Sequence, residues 1–104
     1  VEVKNDFYAA KSGNIAIETF NPKTNKPSGL NITKADLWCH ITDDLYFCPV
    51  DKLKEFISKN NPTRIIKAGG DQNADLYLYR ADFMISECFQ TLSSLDDLTT
   101  LLGV

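Results

Sequence analysis

Apolar and polar residues alternate from the first position of the chain, V-E-V-K, and a period of two is typical of a β-strand. In such a strand Glu2 and Lys4 share one face, about 7 Å apart, while Val1 and Val3 share the other. We expect the valine face to pack beneath helices and the charged pair to project into a cavity. Similar patterns predict four further strands, at 13–20, 45–49, 63–68 and 74–81. Ile15 and Ile17 should lie on the buried face of the second strand.

Helical spacing of apolar residues appears in other segments. In 50–60 the apolar residues recur every three or four positions, which predicts a helix with one face packed on a sheet. A short helix is predicted for 32–41, with Thr33 as its N-cap, and another for 95–102, after a capping-box-like start. Residues typical of turns predict an exposed loop or hairpin at 21–29 and a hairpin turn at 69–73. Together these elements predict a mixed α/β sheet covered by helices.

The composition is that of one ordinary globular domain spanning 1–104, with 43% hydrophobic and 24% charged residues. No apolar run approaches the ~20 residues that span a bilayer, and no signal-peptide pattern is present, so we expect a cytoplasmic protein without a membrane partner. The three cysteines have no metal-ligand spacing, which favours buried free thiols over a zinc site or disulfides. The single histidine, His40, has no triad partner at a recognisable spacing and is expected at a helix end, partly exposed.

The charge distribution is uneven along the chain, although the net charge is only −3. Residues 1–34 carry five lysines against three acidic residues, a net charge of +2, whereas residues 35–104 carry a net charge of −5. A polyanion would therefore approach the first third of the chain.

Glu2 and Lys4 are the residue types that metal-assisted phosphodiester hydrolysis uses. The carboxylate can bind a divalent cation, and the ammonium can orient a water or stabilise charge that builds on a phosphate. By itself, however, the tripeptide E-x-K is better explained by a solvated ion pair on a surface strand. Further motifs are needed to favour a catalytic role.

The residues that follow closely resemble phage-type nucleases of the PD-(D/E)XK superfamily. Those proteins run E-x-K-x-D, G-N-[apolar]-x-[apolar]-E, a loop ending in S-G-[apolar], and T-x-A-D-x-W. The resemblance covers roughly residues 1–80 and implies a restriction-endonuclease-like mixed β-sheet flanked by helices. The matching residues are Glu2, Lys4, Asp6, Gly13, Asn14, Glu18, Ser28, Gly29, Thr33, Ala35, Asp36 and Trp38.

The resemblance also implies a set of catalytic and metal-binding residues. Glu2 would bind Mg²⁺ or Mn²⁺, the backbone carbonyl of Val3 would add a ligand, and Lys4 would be the catalytic amine. The family also has an aspartate on the strand before E-x-K, so we expect the first elements of the fold to be missing before residue 1. Glu18 is the best substitute within the chain, because it ends the strand beginning G-N, which we expect to pair beside the E-x-K strand. A solvent-facing acid at a strand end explains Glu18 equally well. An upstream segment or a second copy in a homodimer would be another way to complete the site.

Several polar residues are candidates for contacts with DNA phosphates. Gly13 would allow a phosphate to approach, and Thr33 would present backbone amides at a helix start. An ordinary turn and an ordinary N-cap explain the same residues. Asp6 either shares the face of Glu2 or caps the following turn, and the second role is favoured. The candidate DNA-binding residues are Lys11, Ser12, Asn14, Thr33 and Lys34.

The sequence thus predicts a Mg²⁺-dependent endonuclease that hydrolyses the DNA backbone in the cytoplasm of a bacterial or virus-infected host cell. As this chain stands, the activity is expected to be impaired. A second reading is a nucleic-acid- or protein-binding module that keeps the nuclease fold without cleavage. A third is a small structural α/β protein in which E-x-K has no catalytic role.

Overall fold

Strands dominate the computed structural model, which describes residues 1–68 and 74–91. In chain order the elements are β1 (Glu2–Asn5), α1 (Ala9–Ser12), β2 (Asn14–Asn21), β3 (Lys26–Pro27), a 3₁₀ turn (Gly29–Asn31), β4 (Leu37–Ile41), β5 (Leu45–Pro49), α2 (Val50–Lys59), β6 (Arg64–Ile66), β7 (Asp75–Arg80), α3 (Ala81–Cys88) and β8 (Gln90–Thr91).

The strands form two four-stranded sheets. The first has the order β1-β4-β5-β8, with β1 parallel to β4 and the remaining pairs antiparallel. The second has the order β3-β2-β7-β6 and is antiparallel throughout. We expected the strand beginning G-N to pair beside the E-x-K strand, and this prediction is wrong. The neighbour of β1 is β4, whose residues are mostly apolar and therefore suit an interior position between two strands.

The core lies between the sheets and the helices α2 and α3. Ile15 and Ile17 are fully buried, as predicted for the inner face of β2. Helix α2 also confirms its prediction, because Val50, Leu53 and Phe56 are buried on one face. The other buried side chains of this core are Ala9, Leu30, Trp38, Cys48, Tyr79, Met84, Cys88 and Phe89.

Most of the other predicted strands are present. β5 matches 45–49, and β6 and β7 pair antiparallel within the ranges predicted for a hairpin. β3 pairs with the end of β2, so the 21–29 segment forms a hairpin. The sequence predicts either a loop or a hairpin here, and the hairpin is the form observed. The hairpin turn at 69–73 and the helix at 95–102 lie outside the described residues.

The prediction of a helix at 32–41 is wrong, since residues Leu37–Ile41 form strand β4. An apolar run of this length does not distinguish a buried helix from a strand that is buried on both faces. Four consecutive residues of β4 are buried, and strands pair with it on both sides. Thr33 caps no helix here; its hydroxyl oxygen accepts a hydrogen bond from the Ala35 N–H at 3.2 Å.

The prediction that Glu2 and Lys4 share one face of β1 and the valines share the other is confirmed. The valine face, which was predicted to be buried, is the exposed one. Val1 and Val3 are 74% and 48% exposed, whereas Glu2 and Lys4 are half-buried. The register explains this result, because Glu2 lies opposite Trp38 in β4 and therefore points to the same side of the sheet as this buried ring. β1 is the edge strand of its sheet, so its valines project where less of the fold covers them.

Two helices were not predicted. Helix α1 has only four residues and ends at Gly13, whose φ of +74° is accessible to glycine at little cost. Helix α3 buries only Met84 and Cys88, four residues apart, so its sequence carries a weak amphipathic pattern. No helix within residues 1–68 and 74–91 is long and apolar enough to cross a membrane.

Candidate active site

A cavity of about 230 Å³ lies between the end of β1 and the outer face of β2. Two of the predicted catalytic residues, Lys4 and Glu18, line it, and Asp6 lies beside them. The two sheets therefore each contribute charged side chains to one depression. Among the described residues the lining is Lys4, Asn5, Asp6, Ala16, Glu18, Trp38, His40 and Leu76.

Asp6 connects the two sheets through its carboxylate. The Oδ2 atom accepts a hydrogen bond from the Ala16 N–H in β2 at 2.9 Å and lies 2.9 Å from Nε2 of His40 in β4. Both interactions use the same oxygen, so neither occupies Oδ1. The backbone of Asp6 also takes part in the following turn, because its carbonyl accepts from the Ala9 N–H at 3.1 Å. Asp6 thus faces the cavity with its side chain and takes part in the turn with its backbone carbonyl.

The contacts of His40 establish its tautomer. The Nε1–H of Trp38 can only donate, and it lies 3.1 Å from Nδ1 of His40, so this ring nitrogen is the acceptor. The ring proton is therefore on Nε2 and is donated to Asp6. His40 is 1% exposed, so the prediction of a partly exposed imidazole is wrong. Trp38 is buried in the core, as predicted.

The hydrogen bonds of Asp6 favour its ionised form. Burial by itself would raise the pKa of the Asp6 carboxyl, but the hydrogen bonds from His40 and from the Ala16 N–H outweigh burial, and the pKa is lowered. Its side chain retains 14% exposure, toward a cavity that it helps to line. The site therefore holds a fixed carboxylate that is negatively charged at neutral pH.

Strand alternation places Glu18 on the same face of β2 as Ala16, and a β-bulge follows Glu18. The register of β2 on β7 shifts between Glu18 and Phe20, so Thr19 is the extra residue. The Thr19 carbonyl accepts hydrogen bonds from the Ser28 N–H and from Nδ2 of Asn31, both at 3.0 Å. Ser28 and Asn31 thus hold the backbone of the bulge, immediately after Glu18.

Gly29 permits the close packing of the S-G-L segment on β2. Its φ is +55°, and a Cβ atom at this position would lie 2.2 Å from the backbone oxygen of Glu18. A side chain here would therefore push the 3₁₀ turn and Glu18 apart. The S-G-[apolar] motif is present in the sequence, but its contact with Glu18 is visible only in the structure.

The structure separates the predicted metal ligands. Glu2 lies on the same strand face as Lys4, two residues away, but it does not line the cavity. Val3 does not line the cavity either. Within the described part of the chain, no group of three or more His, Cys, Asp or Glu side chains is arranged to hold a metal. Lys4, Asp6 and Glu18 are the charged residues that share the cavity.

The predicted phosphate-binding residues form two groups, one in α1 and at the start of β2 and the other after the 3₁₀ turn. Lys11 and Ser12 are exposed in α1, and Asn14 begins β2. Thr33 and Lys34 follow the 3₁₀ turn. The Thr33 N–H donates to the carbonyl of Gly29, which packs on Glu18. Positions 14 and 18 of β2 are about 13 Å apart at about 3.3 Å per residue. The two groups therefore do not form one cluster.

Comparison of the chain with protein-family models, with curated proteins and with solved structures found no match. The functional assignment therefore depends on the chemistry of the cavity and on the sequence motifs.

Proposed function

We propose that this protein is a metal-dependent nuclease with a restriction-endonuclease-like fold and that it hydrolyses the DNA backbone. The observation that supports this function best is the cavity in which Lys4, Asp6 and Glu18 meet. Carboxylates can bind a divalent cation, and an ammonium can stabilise charge on a phosphate, so this cavity holds groups suited to metal-assisted phosphodiester hydrolysis.

The donors in this cavity suit Mg²⁺ or Mn²⁺. Hard cations bind oxygen, and Mg²⁺ commonly uses one or two protein carboxylates while waters and substrate phosphates supply the remaining ligands. Asp6 and Glu18 would hold the ion, whereas Glu2 lies outside the cavity lining. When bound, such an ion polarises the scissile phosphate and lowers the pKa of the attacking water.

The chain itself supplies charge and positioning. Lys4 neutralises negative charge that develops on the phosphate in the transition state. His40 does not act as a base, because both ring nitrogens are occupied by Trp38 and Asp6. It is a positioning residue that holds the Asp6 carboxylate against β2.

DNA would lie across the cavity and contact both groups of polar residues. Lys11 and Lys34 are exposed and provide positive charge, one in each group. Backbone and side-chain donors around Asn14 and Thr33 would contact phosphates, which position the DNA without reading its sequence. We therefore propose cleavage with little base specificity.

The second candidate function is DNA binding without cleavage. It is favoured by the small number of carboxylates in the cavity, one of which, Asp6, already accepts hydrogen bonds from His40 and the Ala16 N–H. The two functions share the DNA surface and differ only in whether the phosphodiester bond breaks.

Plasmid cleavage distinguishes these functions. We expect the chain to nick or linearise plasmid DNA in Mg²⁺ and to be inactive in EDTA. Lys4→Ala should reduce the rate by ~10²–10³-fold without changing DNA affinity, since Lys4 acts on charge that appears during the reaction. The matched control is Lys54→Ala, which removes an exposed lysine on α2 that does not line the cavity. DNA binding without metal-dependent cleavage would favour the binding module, and a Lys4→Ala protein that loses affinity but keeps its turnover would contradict this role of Lys4.

A further inference from the structure

A second cavity, of about 360 Å³, lies between α2 and the end of α3 and does not share residues with the candidate active site. We call it the thiol pocket. Four of its seven lining residues are charged, and one is a cysteine. The lining is Lys52, Glu55, Phe56, Lys59, Asn60, Glu87 and Cys88.

A pair of thiols lies at the inner end of this pocket. Cys88 is the last residue of α3 and is 4% exposed, while Cys48 in β5 is fully buried. The antiparallel pairing of β5 with β8, Tyr46 opposite Thr91 and Phe47 opposite Gln90, brings Cys48 close to the end of α3, although 40 positions separate Cys48 from Cys88 in the chain. The Sγ atom of Cys48 also lies 3.3 Å from the Pro49 carbonyl oxygen. The third cysteine, Cys39, is buried as well, and all three are free.

The surroundings distinguish the two thiols of the pair. The neighbouring Cys48 thiol and the positive charge of Lys52 lower the pKa of Cys88, although burial and Glu87 act in the opposite direction. The neighbouring Cys88 thiol and burial raise the pKa of Cys48 above its usual range. Cys88 is therefore the thiol that ionises first, and it is also the one that lines a cavity. The thiolate is the reactive form of cysteine.

We propose that Cys88 is a peroxide-reactive thiol and that Cys48 resolves its oxidised form as an intramolecular disulfide. In the first step the Cys88 thiolate attacks one oxygen of hydrogen peroxide, the O–O bond breaks, and after uptake of a proton the products are a Cys88 sulfenic acid and water. In the second step the Cys48 sulfur attacks the Cys88 sulfur, the S–O bond breaks, and the proton of Cys48 leaves with the hydroxide as a second water. The sulfurs are oxidised by two electrons, and the peroxide is reduced by two.

The position of the pair fits these two roles. A small oxidant reaches Cys88 from the pocket, whereas Cys48 is completely covered. The disulfide would join the end of β5 to the end of α3, immediately before α2 begins at Val50. The proposal does not depend on the nuclease activity, because it involves a different cavity.

The test measures disulfide formation by mass spectrometry after treatment with hydrogen peroxide. We expect the intact protein to lose two hydrogen atoms and to yield a linked pair of tryptic peptides, 35–52 with 81–104. The first peptide contains both Cys39 and Cys48, so the experiment is repeated with Cys39→Ser, which should retain the linkage. Cys48→Ser should lose the disulfide but accumulate a Cys88 sulfenic acid that dimedone traps. Cys88→Ser should lose both products.

A charge variant tests why Cys88 reacts. Lys52→Ala should slow dimedone labelling in the Cys48→Ser background, whereas Lys54→Ala, on the exposed side of the same helix, should not. Circular dichroism shows whether each variant is folded. If a variant is not folded, the peptide linkage found by mass spectrometry in the oxidised wild-type chain is the decisive measurement. Linkage through Cys39, a sulfenic acid that forms on Cys48 instead of Cys88, or oxidation of Cys39 before the pair would overturn the proposal.

Discussion

Replacing Gly29 with alanine should destabilise the domain and disturb the candidate active site together. Gly29 has a positive φ and packs directly on the backbone of Glu18. Gly13 provides a matched control, because its φ is also positive, +74°, but nothing lies within 4 Å of the Cβ position there. The two substitutions therefore share the backbone penalty and differ in the contact with β2.

The size of the effect follows from these two contributions. A non-glycine residue in the left-handed region costs roughly 1–2 kcal/mol. At Gly29 the added Cβ would also lie 2.2 Å from the Glu18 oxygen, so backbone must move, and overpacking of this kind typically costs about 1–3 kcal/mol. We expect Gly29→Ala to lower the free energy of unfolding by about 2–5 kcal/mol and Gly13→Ala by about 1–2 kcal/mol. Small domains have only about 5–15 kcal/mol in total.

Urea denaturation followed by circular dichroism measures both free energies, and plasmid cleavage is then compared under conditions where each variant is fully folded. Gly29→Ala should reduce cleavage because it displaces Glu18, whereas Gly13→Ala should cleave more nearly as the wild type does. Equal destabilisation by the two substitutions would refute the reasoning, since the contact with Glu18 would then have no energetic effect. A normal rate in Gly29→Ala would show that the position of Glu18 does not matter for cleavage.

Three further predictions concern the site and its surface. Lys11→Ala combined with Lys34→Ala should weaken DNA binding and reduce the slope of log K against log salt by roughly two units, whereas a salt-independent loss would contradict phosphate contacts. The lowered pKa of Asp6 means that its ionised form stabilises the fold above about pH 4 and that this contribution is lost as the pH falls through the folded-state pKa. Urea titrations at pH 6 and pH 3 should therefore show a smaller acid destabilisation in Asp6→Asn than in the wild type, and an equal loss would contradict it. Trp38→Phe should lower the free energy of unfolding by about 1–3 kcal/mol, because Nδ1 of buried His40 loses its hydrogen-bond donor. An unchanged free energy in urea denaturation would contradict that hydrogen bond.

Local patterns in the sequence predict the elements that bury one face. Helix α2, the inner face of β2 and the pair β6–β7 follow from apolar residues that recur with the period of a helix or a strand. The shared face of Glu2 and Lys4 follows from the same rule. Such predictions succeed because each depends only on residues that are close in the chain.

Only the tertiary structure decided the elements and contacts that depend on distant residues. The segment Leu37–Ile41 is a strand because β1 and β5 pair with both of its edges, and its own apolar sequence fits a helix equally well. Asp6 belongs to the cavity because His40, 34 positions later, and the Ala16 N–H fix its carboxylate. Periodicity determines which residues face the same way along one element, whereas the packing of separate elements determines which of those faces meet.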